Sequence, residues 1–418
     1  MIPLGQTLPR AWLIVAMLWV VALLNYLDRL MITTMRGSLM EAIPMTDAQF
    51  GLLTSVFAWV YGILSPFAGF LADRFSRSRV ILGSLFVWSV LTWLTGHAKT
   101  FEQLLAVRAL MGISEAAYIP AALALISDYH RGNTRSLATG VHMTGIGVGA
   151  GLGGLGGWLA ERYGWSFSFT VFGFIGIGYS LVLMLGLRDV PSDGAQVHTT
   201  DSQPARGPNL FEALASLFRS GPFWLMLFYW GMLGLTGWAV MGWMPTYLKE
   251  RFDLTQGVAG LSATGYLQGA MLVGLVIGGV WADRWSRSNT RARILVPAIG
   301  LCLSAPGLLL VSQTGVLGLA IAGLMIHGLT RSFTDANMMP ALCLVSDPRY
   351  RATGYGVLNL FSCLIGGSAA YFGGAMRDAH VNLDKLFLFA ALNMLMCAAV
   401  MFCVRPTKGD AEKARASG

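Results

Sequence analysis

Charge is what this sequence has least of. Asp, Glu, Lys and Arg make up 12% of its 418 residues, against roughly 25% in a soluble domain. Too little charge is present to clothe a water-exposed surface, so a soluble enzyme is not expected. The net charge of +8 would suggest nucleic acid in a soluble protein. Here the basic residues cluster in particular loops, no nucleic-acid partner is expected, and topology explains them better. Cysteine is sparse too. Cys302, Cys343, Cys363, Cys397 and Cys403 all fall in apolar segments, which fits small buried hydrophobes and not a disulfide or metal framework. No metal-ligand spacing, nucleophile elbow or nucleotide loop is found, so no metal, cofactor or enzymatic activity is expected. The alternation of a β-barrel strand is missing, and the apolar runs are far longer than its ~10 residues.

Long apolar runs are what the chain has instead. It is 55% hydrophobic, with a mean hydropathy of +0.60, and this reads as a polytopic membrane protein. The spans must be helices, because a helix satisfies its own backbone hydrogen bonds in lipid. Twelve are expected, at 12–36, 49–72, 80–97, 103–128, 135–159, 166–188, 222–248, 258–282, 292–313, 316–346, 352–376 and 383–404. The first run is too long and too charged for a cleavable signal peptide. The polar segment 189–220, containing PSDGAQVHTTDSQPARGP, reads as a linker. It divides a six-helix half at 1–188 from a second at 221–404, with a tail at 405–418. Nineteen Lys and Arg flank the spans on the side of the termini and seven on the other. Both termini, the linker and the tail are therefore expected in the cytoplasm.

The halves repeat. LADRFSRS at 71–78 is echoed by WADRWSRS at 281–288, an offset of 210. SEAAYIPAALALISD at 114–128 is echoed by TDANMMPALCLVSD at 334–347, aligning Glu115 with Asp335 and Pro120 with Pro340 at an offset of 220. Two six-span halves inserted in the same direction imply a parallel repeat about an axis along the membrane normal. That is a transporter architecture, with a substrate site near the midplane between the halves.

Gly69-Phe-Leu-Ala-Asp73-Arg74-Phe-Ser-Arg77-Ser-Arg79, with its second copy from Gly279 through Asp283, Arg284 and Arg287, resembles the loop signature of the major facilitator superfamily. The resemblance covers essentially the whole chain and implies an all-α membrane fold of twelve helices in two pseudo-symmetric halves. Within it, NYLDR in span one and RALMGISEAAYIP in span four look like the anion:cation symporters, which include sugar-acid permeases and sialin-like carriers. Members import organic anions, usually with protons. Ser114-Glu115-Ala116-Ala117-Tyr118 is also similar to the spinster-like lipid transporters. The glycine-rich GIGVGAGLGGLGGW at 145–158 lacks the Gly-Pro ending of drug:proton antiporters, so drug export is not expected. A bacterial plasma (inner) membrane location and a monomeric state follow from the same resemblance.

Ionisable residues at membrane depth cost about 2.5–3.5 kcal/mol each on insertion scales, so the few present are candidates for function. Asp28 and Arg29 sit in span one, Arg108 and Glu115 in span four, and Arg331 and Asp335 in span ten. Arg108 and Glu115 are seven apart, and Arg331 and Asp335 four, so each pair shares a helix face. Adjacent side chains on a helix point about 100° apart. Arg29 is therefore assigned to the central cavity and Asp28 to the interface with span four, near Arg108 or Glu115. A carboxylate favours its neutral form when buried and its charged form beside an Arg. An Arg that moves during rocking would thus swing its affinity for protons, so Asp28 and Glu115 are expected to carry them, as the symporter resemblance also implies. The alternative is a static charge pair, though burying one for stability alone gains little.

Arg29, Tyr61, Arg108, Arg331 and Asn359 are the candidate substrate ligands, the arginines because a planar guanidinium suits a carboxylate. Asp335 is a second proton or specificity candidate, and the alternative for Arg331 is that it simply pairs with Asp335. Tyr26, Trp59, Thr144, Trp238, Gln268 and Asn337 lie at plausible cavity depth, though each alone reads first as a packing residue. His142 reads as a packing residue, and His327 is a weaker candidate. The glycines at 145–157 suit close helix contact across which the halves rock. Asp73, Arg74, Arg77, Arg131, Arg135, Asp283 and Arg284 are expected to form a gating charge network. Taken together, the expectation is a proton-coupled symporter of a small organic anion such as a sugar acid. The alternative is a spinster-like carrier of a lysolipid or other amphiphile. A non-transporting receptor would call for a large output domain, whereas only fourteen residues follow Val404.

Overall fold

The computed structural model describes residues 8–130, 134–189, 210–289, 291–346 and 350–404. The expected spans are all found as helices among them. Span one is Leu8–Met31, span two Asp47–Arg74, span three Arg77–Thr95, and span six Trp165–Gly186. Span seven is Gly221–Arg251, span nine Ala292–Gln313, span ten Leu317–Cys343, span eleven Arg351–Asp378 and span twelve Leu383–Cys403. Spans four, five and eight are interrupted. Ten helices among the described residues are long and apolar enough to cross a membrane. Spans five and ten complete the twelve, the first broken by glycines and the second carrying a polar stripe.

Each interruption has a local cause. Span four runs Phe101–Ala116 and resumes as Tyr118–Tyr129. Pro120 has no N–H to offer the Ala116 carbonyl, so the ladder breaks one residue after Glu115. Span five runs Arg135–Leu152 and Leu155–Tyr163, parting at Gly153 and Gly154. Span eight passes from Gln256–Leu261 through a π turn at Ser262–Tyr266 into Leu267–Ser286. Within that turn Thr264 donates its hydroxyl to the carbonyls of Gly151 and Gly260, at 2.7 and 3.0 Å. A π turn of this kind is frequent where a helix does work beyond packing.

Packing divides at the middle of the chain. Span one packs on five and three on six, while seven packs on eleven and eight on ten. Two seams join the halves, span two against eleven and span five against eight. Both need small residues, because the backbones nearly touch. At Gly51 a Cβ would collide with the Ala370 carbonyl, and at Gly154 it would lie 2.6 Å from Leu261 Cα. The glycine tract is only partly the sliding contact expected. Gly147, Gly151 and Gly154 face span eight, but Gly145, Gly149, Gly153 and Gly156 face span one of their own half.

Two further differences from the sequence reading stand out. The segment 189–220 is not wholly a linker, because Leu210–Phe218 is an amphipathic helix that buries Ala213 and Leu217. The tail 405–418 lies outside the described residues. Of the cysteines, Cys363 and Cys397 are buried, Cys302 and Cys343 half-buried, and Cys403 is exposed.

Candidate functional site

Four charges cluster inside the first half. Asp28, Arg29, Arg108 and Glu115 are all at most 5% exposed. Arg29 donates through Nη2 to Glu115 Oε2 at 2.8 Å, crossing from span one to span four. Its guanidinium also lies over the rings of Tyr26, Phe57 and Tyr61, with centroids 4.4, 4.8 and 4.8 Å away. The sequence reading gave Arg29 to the central cavity. In this conformation Glu115 takes it instead, and Tyr26, whose ring it overlies, lines that cavity. Asp28 accepts the Thr92 hydroxyl of span three at 3.2 Å, and its other oxygen has no partner. Glu115 and Arg108 are its charged neighbours, as expected.

Arg108 has no carboxylate in direct contact among the described residues. It donates to the Leu53 carbonyl at 3.3 Å and lies 4.7 Å from the Phe57 ring centroid. Fully ionised, the cluster is neutral overall, with two arginines facing two carboxylates. It is also under-bonded: Asp28 Oδ1, Glu115 Oε1, Arg29 Nε and Arg108 Nη2 are buried without partners. Such a set stabilises poorly when static. Moving one guanidinium would re-pair several groups together.

A cavity of about 660 Å³ lies between the halves. It reaches from Tyr26 and Gln268 toward the ends of the spans nearest the termini, at Gly140, Val276 and Met338. Methionine, leucine and valine, together with Ile146, Ala150 and Trp230, supply about half of its wall. The ionisable side chains on it are His327, Arg331, Asp335, Tyr26 and Tyr355. His327, Arg331 and Asp335 are spaced four apart and form one column on span ten. Arg331 Nη1 donates to Asp335 Oδ2 at 2.9 Å. His327 Nδ1 is held 2.7 Å from Ser304 Oγ.

The opposite face is shut by charges that the sequence reading missed. Asp47, opening span two, accepts Arg36 Nε at 2.6 Å and Arg377 Nε at 3.1 Å. Arg377 also grips Glu250 through both terminal nitrogens, at 2.6 and 2.8 Å. Asp378 accepts the backbone N–H groups of Asp47 and Ala48 at 2.9 Å each. That carboxylate caps the start of span two from the other half. Only seven Lys and Arg lie on this side; two of them sit in one cluster, but sequence alone does not show that their loops meet.

The expected gating network is described in part. Asp73, Arg74 and Arg131 lie outside the described side chains. Arg77 pairs with Asp128, Arg135 donates to Ser127 Oγ at 3.0 Å, and Asp283 pairs with Arg293 at 3.2 Å. These bonds each join residues of one half. Asp189 was also missed. It accepts the Ser76 hydroxyl and both the N–H and hydroxyl of Ser78, the last two at 2.8 Å.

Several candidates make packing contacts in this conformation. Asn359 donates to Ser65 Oγ at 3.0 Å, and Trp59 to the Leu364 carbonyl at 3.1 Å, both across the seam of spans two and eleven. Asn337 donates to the carbonyls of Gly278 and Phe333. Tyr61 stacks on Phe57 at 5.9 Å, and Trp238 packs against the same ring. His142 is fully buried beside Tyr118. Thr144 and Gln268 do line the cavity.

The chain is similar to known proteins along most of its length. The chain is 28% identical to human Protein spinster homolog 1, over 95% of this chain and 79% of that one. It is 26% identical to the Probable L-galactonate transporter of Escherichia coli (strain K12), covering 95% and 90%. Its fold superposes with a TM-score of 0.76 on a bacterial homolog of the human lysosomal transporter Spinster, solved inward-facing and unoccupied, at 22% identity and covering 95% and 96%. Residues 18–371 match the Major Facilitator Superfamily, and the chain is a multi-pass membrane transport protein belonging to that family.

Proposed function

We propose that this chain is a proton-coupled symporter, working by alternating access, for an organic anion with an apolar body. One observation carries the reading: Arg331 stands in the wall of a 660 Å³ cavity about half of whose lining is Met, Leu, Val, Ile, Ala and Trp. A guanidinium suits a carboxylate, sulfonate or phosphate head. The apolar wall suits a body that would gain by leaving water. Asp28 and Glu115 carry the protons, with Arg29 and Arg108 as exchangeable partners. Loss of the Arg29–Glu115 contact during rocking changes which group holds charge.

With the arginine-rich face in the cytoplasm, both termini lie inside and the cavity opens inward. A bacterial inner membrane is the setting proposed. The halves 1–188 and 221–404 rock about the seams, and Arg77, Arg135, Asp283 and Arg284 brace the state that is shut on the cytoplasmic side. A hydrophilic sugar acid is the second reading, favoured by the galactonate relative and by the aromatic box around Arg29.

Uptake into proteoliposomes under an inward proton gradient tests this. The panel is galactonate, octanesulfonate and lysophosphatidate, with Glu115→Gln beside wild type. Concentrative uptake of the two amphiphiles over galactonate is expected. In Glu115→Gln, proton-driven uptake should fall at least about tenfold, while exchange between labelled and unlabelled anion persists. Preference for galactonate would favour the second reading. Gradient-driven uptake unchanged in Glu115→Gln would overturn the proton assignment.

A further inference from the structure

Among the described residues, each half holds one directly bonded carboxylate–guanidinium pair at membrane depth, and the two pairs are not equivalent. Glu115 and Asp335 occupy the same place in the repeat, each five residues before a proline. Glu115 is fully buried and Arg29 is 5% exposed. Asp335 and Arg331 are 28% and 15% exposed and stand in the cavity wall. A ligand entering that cavity can therefore reach Arg331 without any helix moving, whereas the Arg29–Glu115 pair is closed to it.

Arg331 is also held loosely. A single N–H of its Nη1 reaches a single oxygen of Asp335, and its Nε is buried with no partner. Nη2 points at Gly237 of span seven, where even an added Cβ would lie 3.5 Å away. The guanidinium thus keeps donors free toward the space a ligand would fill. The groups facing Asp335 are few. Arg331 and His327 come from its own helix, Tyr229 from span seven and Tyr355 from span eleven. Span eight presents Gln268 and Met271 here, which carry no charge. Arg331 is accordingly the one cation paired with Asp335 among the described residues.

We propose that Asp335 is a second proton-linked group, which releases Arg331 to the head of the anionic substrate and takes up a proton as it does so. The inference rests on the anion-transport reading above and deepens it. Charge balance is the reason. The empty pair is neutral. Adding an anion alone would leave the cavity with a net negative charge in apolar surroundings, where such a charge is costly. Adding an anion and a proton together leaves Arg331 paired with the ligand and Asp335 as a neutral acid, again neutral overall. One Arg331–Asp335 hydrogen bond breaks, bonds from Arg331 to the anion form, and the proton comes from the solvent that enters the cavity.

The test uses octanesulfonate, an amphiphilic anion that stays ionised across the range studied. Its binding to purified full-length protein in nanodiscs is measured by calorimetry from about pH 5 to 8, in buffers of different ionisation enthalpy. By linkage, wild type should take up about one more proton per anion bound than Asp335→Asn, and its affinity should tighten more steeply as pH falls. Asp335→Glu should retain the uptake. Infrared difference spectra should show a protonated carboxyl band on binding that shifts in Asp335→Glu, a readout that stands even if Asp335→Asn fails to fold. Equal proton uptake in wild type and Asp335→Asn, or a band unmoved in Asp335→Glu, overturns the inference and leaves anion binding intact. Absence of binding to wild type overturns the anion reading and this inference together.

Discussion

Arg377 at the end of span eleven and Asp47 at the start of span two bond across the two halves, Nε to Oδ2, at 3.1 Å. The contact is the centre of a larger seal. Arg377 holds Glu250 of its own half, and Asp47 holds Arg36 of its own half. Each half therefore presents one guanidinium and at least one carboxylate to the other. Below the seal, Thr246 of span seven is 5% exposed and faces Thr33, Thr34 and Gly37. A cavity opening toward the termini and a charged seal at the far end are two aspects of one conformation.

Removing the guanidinium should loosen that seal. Arg377→Gln deletes the bonds to Asp47 and Glu250 while leaving Arg36 to hold Asp47. Glu250 is 44% exposed, so solvent screens part of the interaction. A shift of about 1 kcal/mol, roughly fivefold in population, is expected. The reporter is Thr246→Cys in a chain whose native cysteines are replaced by serine, labelled with a membrane-impermeant maleimide. Labelling should quicken about fivefold. An unchanged rate would place the closure in helix packing alone.

The glycines of span five allow a sharper separation of stability from motion. At Gly149 a Cβ would run into the Leu23 carbonyl, within one half; at Gly154 it would meet Leu261 of the other half at 2.6 Å. At Gly140 it would meet nothing within 4 Å. Gly149→Ala should destabilise the protein by about 1–3 kcal/mol, since backbone must move to relieve the overlap. Gly154→Ala should leave each half intact and disfavour closure of the far face. Gly140→Ala should be neutral or slightly stabilising, because alanine is the better helix former. Thermal unfolding should rank the melting temperatures Gly149→Ala lowest and Gly140→Ala highest. A melting temperature for Gly149→Ala equal to wild type would contradict the close packing of spans one and five.

Much of this architecture was legible in the sequence, for reasons that are local. Apolar runs of span length, a polar break at 189–220 and the doubled ADR-x-S-R-S motif each lie in one continuous stretch. They foretold twelve helices in two halves. Asp28, Arg29, Arg108 and Glu115 were also legible, because a charge inside an apolar run is conspicuous. Their pairing was not, since whether Arg29 turns to Glu115 or to open space depends on how spans one and four pack. Asn359 looked like a cavity residue by depth alone; only the seam between spans two and eleven gives it Ser65. The seal around Asp47 was invisible for the opposite reason. Its members are ordinary charges at helix ends, where charges belong, and nothing in the sequence states which ends meet.

Asp189 offers a test of the terminal face. It lies beyond span six, yet it binds the first turn of span three through Ser76 and Ser78. Partial burial alone would push its carboxyl above the usual range. The hydrogen bonds from Ser76 and Ser78, with Arg77 nearby, outweigh that and hold it below. A carboxylate whose folded-state value is depressed adds stability above its unfolded value, about pH 3.9, and loses it as pH falls through the folded value. Asp189→Asn should therefore melt below wild type at neutral pH, and the gap should close as the pH is brought under about 4. A gap that persists unchanged in acid would mean that shape, and not charge, holds span six to span three. In that case the cap at Ser76 would be the stabilising element, and Ser76→Ala would reproduce the whole effect.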